Sequence, residues 1–224
     1  MQSCQQFTID DITELLKNYS SVKYRNNIIR LGITPINHIG VRIPIIRKIA
    51  KKLEKNQKFA NQLWNSNIHE LKLLAVLVSE PDKFCQKNLW NWFDTLYSWD
   101  LCDHLCNNLL YQISECYENI NQYCLDSREF VRRTSFSLLV SALSHQIDVD
   151  QWLDQYFRLA ELYSKDSRIY IKKSISWALR EIGKRRLDKR VDVISLSIKF
   201  KESENATQRW IGKSVYKEIF PLTG

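Results

Sequence analysis

The chain has 224 residues, of which 44% are hydrophobic and 26% charged, with a formal net charge of +8. That length and balance suit a folded protein with a continuous core and exclude a disordered one. Only five glycines and four prolines occur, too few for the turns of a sandwich or barrel, so an all-α fold is expected.

Charge placement says more than charge total. Residues 1–164 hold 18 basic and 18 acidic side chains, whereas residues 165–224 hold 15 basic and 7 acidic. A surplus confined to one end favours a polyanion partner, nucleic acid first. The six cysteines (Cys4, Cys85, Cys102, Cys106, Cys116, Cys124) form no C-x-x-C pair, and Cys102 and Cys106 flank His104 at a spacing that matches no common zinc pattern. The start carries no secretory pattern, and no apolar run approaches membrane-spanning length. Free, mostly buried thiols in a reducing cytoplasm are expected, with no metal site and no membrane partner.

The first helix starts near Thr8, a cap ahead of the acidic first turn Asp10-Asp11, and Val22 to Leu31 follows as a short basic segment. A Gly/Pro-rich interruption, Gly32-Ile33-Thr34-Pro35 and then Gly40-Val41-Arg42-Ile43-Pro44, leads into a helix over Ile45–Leu53 with Arg47 and Lys48 on its polar side. Helices then follow over Phe59–Ser66, Ile68–Ser79, Phe84–Leu96, Trp99–Leu110, Ile113–Leu125, Glu129–Ser144, Asp150–Tyr163, Arg168–Arg186, Asp188–Lys199 and Asn205–Phe220. The breaks between them are short and polar, as helix-hairpin connections are. Helix pairs recurring at roughly 35–45 residues have the spacing of HEAT or armadillo repeats. A right-handed α-solenoid is therefore expected, as a single domain over residues 1–224, with N-terminal helices at about 7–31 and a repeat array at about 44–220. No repeat is obvious by sequence identity, and a plain helical bundle is the simpler alternative.

Two helices carry candidate chemistry. On Trp99–Leu110, Trp99 and Asp103 stand four apart and share a face that Asn107 continues, beside the apolar Leu105, Cys102, Cys106 and Leu109. A carboxylate beside a ring at a core boundary is either a capped structural group or the electrostatic half of a reaction site. On Arg168–Arg186, Ile171, Ile175, Ala178, Leu179 and Ile182 form the core stripe, and Lys173, Trp177, Arg180 and Lys184 line the opposite side, with Gly183 among them. Trp177 is either packed on a neighbouring helix or a surface ring that meets sugar or base while the cations meet phosphate. Upstream, the wheel groups Arg133 with Thr134 and Ser137, making it the phosphate contact, and leaves Arg132 as the paired or snorkelling one. Tyr163, Trp64, Trp90, Trp92, Trp152 and Trp210 sit at apolar spacings and are expected in the core. Asp94, Asp100 and Glu70 are uninformative singly, and the four histidines suggest neither a triad nor a metal set.

Five blocks occur in order: Gly40-Val41-Arg42-Ile43-Pro44-x-x-Arg47-Lys48, Ile68-His69-Glu70-x-Lys72, Ser98-Trp99-Asp100-x-Cys102-Asp103, Phe130-Val131-Arg132-Arg133 and Trp177-Ala178-Leu179-Arg180-Glu181-Ile182-Gly183-Lys184. Together they resemble the HEAT-like DNA alkylation repair family, the alkylpurine DNA glycosylases of the AlkD type, from about Tyr24 to Trp210. The resemblance implies a solenoid whose concave basic face holds double-stranded DNA, and an N-glycosylase without lyase activity that hydrolyses the glycosidic bond of N3- and N7-alkylated purines. It implies no cofactor and a monomer. Asp103 would face the lesion's deoxyribose with Trp99 and Trp177, and Arg133 would hold phosphate. Arg132, Lys173, Arg180, Lys184, Arg47 and Lys48 would complete the DNA-binding set. The alternative is a non-catalytic HEAT module that binds distorted or branched DNA.

Overall fold

The computed structural model describes residues 7–35 and 37–223. Among these every regular element is helical, with fourteen α-helices, four short 3-10 turns and one isolated parallel bridge between Asn37 and Ile68. The chain divides into two compact units, the first ending at Ile113 and the second beginning at Ser114. Cys4 lies outside the described residues. Of the other five cysteines, all free, only Cys85 is exposed.

The first unit contains α1 (Ile9–Lys17), α2 (Val22–Arg30), α3 (Ile43–Ala50), α4 (Gln57–Trp64), α5 (His69–Val78), α6 (Gln86–Phe93) and α7 (Trp99–Asn108). Thr8 closes a reciprocal cap on α1: its hydroxyl accepts from the Asp11 N–H at 3.1 Å, and its own N–H donates to the Asp11 carboxylate at 2.9 Å. Helix α3 starts at Ile43, two residues earlier than expected, and ends at Ala50. Pro44 sits in its first turn, where a missing N–H costs nothing.

Successive helix pairs of this unit are stitched at one constant separation. The Trp64 indole N–H donates to Thr95 Oγ1 at 2.9 Å, that of Trp92 to Asn61 Oδ1 at 3.1 Å, and His104 Nε2 lies 3.1 Å from the Leu73 carbonyl, each pair 31 residues apart. A fixed offset means that pairs stack in register, as repeats do. The period of 31 is shorter than helix spacing alone suggested.

The second unit contains α8 (Ser114–Glu118), α9 (Ile120–Leu125), α10 (Glu129–Ser144), α11 (Asp150–Tyr163), α12 (Ile169–Arg185), α13 (Arg190–Lys201) and α14 (Ala206–Ile219). The one helix expected over Ile113–Leu125 is two, broken at Asn119, whose side-chain amide donates to the Glu115 carbonyl at 2.8 Å. A repeat that identity alone hid becomes plain here. Asp126-Ser127-Arg128 recurs as Asp166-Ser167-Arg168, forty positions on (126 to 166). In both copies the aspartate accepts from the backbone N–H and the guanidinium of the arginine two residues later. The core follows the same period: Val131, Ile171 and Ile211 are buried, and so are Leu139, Leu179 and Ile219. Helices α12 and α14 run side by side in the same direction, joined by Ser176 to Ser214 at 2.9 Å and by Arg180 to Glu218 at 2.9 Å. Gly183 is buried at this seam, where an added Cβ would come within 2.9 Å of Ile219. It serves packing and is not part of the exposed row.

Candidate nucleic-acid interface

Helix α12 is amphipathic, as its sequence indicated. Ile171, Ile175, Ala178, Leu179 and Ile182 are buried, Lys173 and Lys184 are exposed, and Trp177 and Arg180 are half-buried. Trp177 therefore keeps part of its ring on the cationic side. Two of the cations are engaged at the surface. Arg180 bonds Glu218 and reaches the hydroxyls of Ser176 and Ser214, each at 3.0 Å. Lys184 pairs with the same Glu218 and with Glu181, and the Glu218 contact raises its pKa above the ordinary lysine value.

Helix α10 departs from the wheel reading. Thr134 and Ser137, which placed Arg133 on an outward polar side, are fully buried, because α10 is enclosed on nearly every side. A hydroxyl can be buried there by bonding its own helix, as Thr134 does to the Phe130 carbonyl at 2.9 Å. Arg133 is only 5% exposed and donates to the Tyr170 carbonyl at 2.7 Å, so it braces the first turn of α12. Arg132 is paired, as expected. It donates to the Cys124 carbonyl at 2.7 Å and to Asp166 at 2.6 Å, and lies 4.5 Å from the Tyr163 ring. Burial tends to raise the Asp166 pKa, but hydrogen bonds from Arg168 and Arg132 hold it at about 2.

In the first unit, Trp99 and Asp103 are both half-buried on α7, and the Trp99 indole N–H donates to the Leu31 carbonyl at 3.1 Å. Asp100, between them in sequence, turns inward. Its carboxylate meets His69 Nε2 at 3.0 Å, and His69 Nδ1 meets the Tyr97 hydroxyl at 2.7 Å. Burial pushes the Asp100 pKa up, yet the hydrogen bond and charge of His69 pull it below the ordinary value. Glu70 is 0% exposed and accepts from the backbone N–H groups of Ile39 (2.9 Å), Gly40 (2.6 Å) and Val41 (3.1 Å). Gly40 has φ +89°, and a Cβ there would lie 2.8 Å from the Ser21 carbonyl oxygen, so only glycine fits. This clamp sets the loop that enters α3, on which Arg47 and Lys48 are exposed. Lys72 is buried too, donating to the Trp64 carbonyl at 2.8 Å and Thr95 at 2.9 Å, and burial lowers its pKa to about 8.

Trp99 and Asp103 thus belong to the first unit, and Trp177 and Arg133 to the second. Of the aromatics expected inside, Trp64 and Trp92 are buried and stacked at 4.0 Å, while Trp90, Trp152 and Tyr163 are half-buried. Trp210 is 39% exposed and stands outside the core. A surface cavity of about 950 Å³, bordered by Phe7, Lys52 and Phe59, contains none of the candidate residues. Among the described residues no cluster of three His, Cys, Asp or Glu side chains could hold a metal, and no helix is long and apolar enough to cross a membrane.

Residues 12–209 match the model of the DNA alkylation repair enzyme family. A search of curated proteins finds no match. Among solved structures, the chain is similar to a protein of a new family related to the HEAT-like repeat DNA glycosylases with affinity for branched DNA structures. The TM-score is 0.77 at 14% identity, over 95% of this chain and 96% of that one. The fold is therefore of the HEAT-like all-helical kind.

Proposed function

The chain belongs to the DNA alkylation repair enzyme family, and from that premise we propose that it is a DNA-recognition protein that binds distorted or branched DNA. The observation that carries this reading is the α12 row, in which Lys173, Trp177 and Lys184 reach the surface of a helix whose other side is core. Exposed cations meet phosphates and make affinity fall with salt, and an indole face meets a sugar or a base. A phosphate that reaches Arg180 and Lys184 displaces Glu218, an exchange that a surface ion pair permits at small cost. The branched ligand is supported by the likeness in fold to a protein with that affinity. Arg133, which the glycosylase resemblance assigns to phosphate, is instead engaged within the fold. The test is competition between a forked DNA and a linear duplex of equal length. Preference for the fork is expected, and equal binding or none contradicts the reading.

A second reading, excision of N3- or N7-alkylated purines, is favoured by one specific observation: Trp99 and Asp103 share a half-buried face of α7. A cationic alkylpurine is a good leaving group, so the barrier lies in an oxocarbenium-like sugar. The Asp103 carboxylate would stabilise that cation, and the ring of Trp99 on the same helix face would add ~0.5–2 kcal/mol through cation–π attraction. Water then bonds to the anomeric carbon, the glycosidic electron pair leaves with the purine, and the water's proton passes to solvent. Base release from duplex DNA containing N7-methylguanine decides it. Release by wild type that Asp103→Asn abolishes while still binding DNA establishes excision, and absence of release by wild type removes it.

A further inference from the structure

The forty-residue period of the second unit aligns more than its core. Phe130, Tyr170 and Trp210 occupy one repeat position near the starts of α10, α12 and α14, and three residues after each stands a cation: Arg133, Lys173 and Lys213. Each aromatic immediately precedes a core residue of the series Val131, Ile171 and Ile211, so the correspondence holds in space as well as in sequence. The Phe130 and Tyr170 ring centroids are 5.5 Å apart. Along this ladder the rungs open toward solvent. Arg133 is buried, Lys173 and Lys213 are exposed, and Trp210 is the exposed aromatic of the three.

The surroundings of Trp210 repeat the chemistry of the α12 row. Trp210, Lys213 and Lys217 stand at i, i+3 and i+7 and share one exposed face of α14, while Ile211, Gly212, Val215 and Ile219 are buried. Lys172 of α12 places its ammonium 5.1 Å from the Trp210 ring centroid. The seam between α12 and α14 runs through Lys172 and Trp210, Ser176 and Ser214, and Arg180 and Glu218. At about 100° per residue, Lys173 and Trp177 turn away from that seam in one sense and Lys213 and Lys217 in the opposite sense. On parallel neighbours, opposite senses lead to the same side. The two cationic rows therefore form one surface, two helices wide.

We infer that Trp210, flanked by Lys172, Lys213 and Lys217, is a stacking platform for an unpaired base at the point where a strand leaves the duplex. The inference rests on the DNA-binding reading and names the feature of branched DNA that is recognised. A flat exposed ring stacks on any unstacked base regardless of identity, whereas bases inside an intact duplex do not offer it a face. The neighbouring lysines hold the phosphates on either side of that base.

The test compares affinities of the full chain for a fork with single-stranded arms and for a fully paired duplex, across wild type, Trp210→Ala, Trp210→Phe and Lys213→Ala/Lys217→Ala. Trp210→Ala is expected to weaken fork binding roughly tenfold and duplex binding less than about twofold, with Trp210→Phe close to wild type. The double lysine variant should weaken both DNAs and flatten the salt dependence by about 1.5–2 in log–log slope. Trp210→Gln, which suits an exposed helical site, has to reproduce the alanine result. Equal losses on fork and duplex, or unchanged fork binding in a wild type that binds DNA, overturn the platform and leave DNA recognition standing. A wild type that binds neither DNA overturns both.

Discussion

Helices α5 and α12 each mix charged residues into an apolar sequence, and they place them in opposite ways. On α5, His69, Glu70 and Lys72 are all buried and bonded to the preceding or following repeat. On α12 the cations Lys173 and Lys184 face solvent, opposite a clean core stripe. A buried charge survives only where its partners are complete, so the α5 set fixes the register of the first unit and is unavailable to a ligand. A surface charge holds its partners weakly, so the α12 set can exchange them for phosphate. Burial, and not residue type, separates the two roles.

Breaking the buried set should have the largest effect. Glu70→Ala strands three backbone N–H donors and is expected to lower stability by about 3 kcal/mol or more, read from urea unfolding, with little direct effect on DNA contacts. Lys72 gives a smaller effect with a pH signature. Its folded pKa of about 8 lies below the ordinary value of 10.5, so between those limits the unfolded chain keeps a proton that the folded one has released. Stability should therefore rise with pH across that window, by ~2 kcal/mol relative to Lys72→Met, which lacks the group. Parallel curves for the two proteins would show that Lys72 does not titrate this way. The smallest effect is expected at the surface. Glu218→Gln removes the competing carboxylate from Arg180 and Lys184 and should tighten DNA binding about two- to fivefold at low salt, with stability changed by less than ~1 kcal/mol.

How far the sequence could be read follows the same division. The α12 row was legible because a helix with one core stripe shows its period openly. Thr8 was legible because a cap is local. Arg133 was misplaced because α10 is enclosed all round, and a wheel cannot separate a polar side from a solvent side when serines and threonines bond to their own helix. Trp210 was assigned to the core because tryptophan usually lies there, and its exposure follows from a repeat position that Phe130 and Tyr170 only reveal once the period is known. The His69–Asp100 and Glu70–Gly40 pairs were invisible for a further reason: they join residues 31 and 30 apart, and nothing local marks either partner.

The most direct measurement is the salt dependence of affinity for a forked DNA, comparing wild type with Lys173→Ala/Lys184→Ala. A log–log slope that falls in magnitude by about 1.5–2, with the fold retained by circular dichroism, is the expected result, since both lysines would be neutralising phosphates. An unchanged slope would mean that the α12 row does not meet DNA, and would contradict the proposed interface.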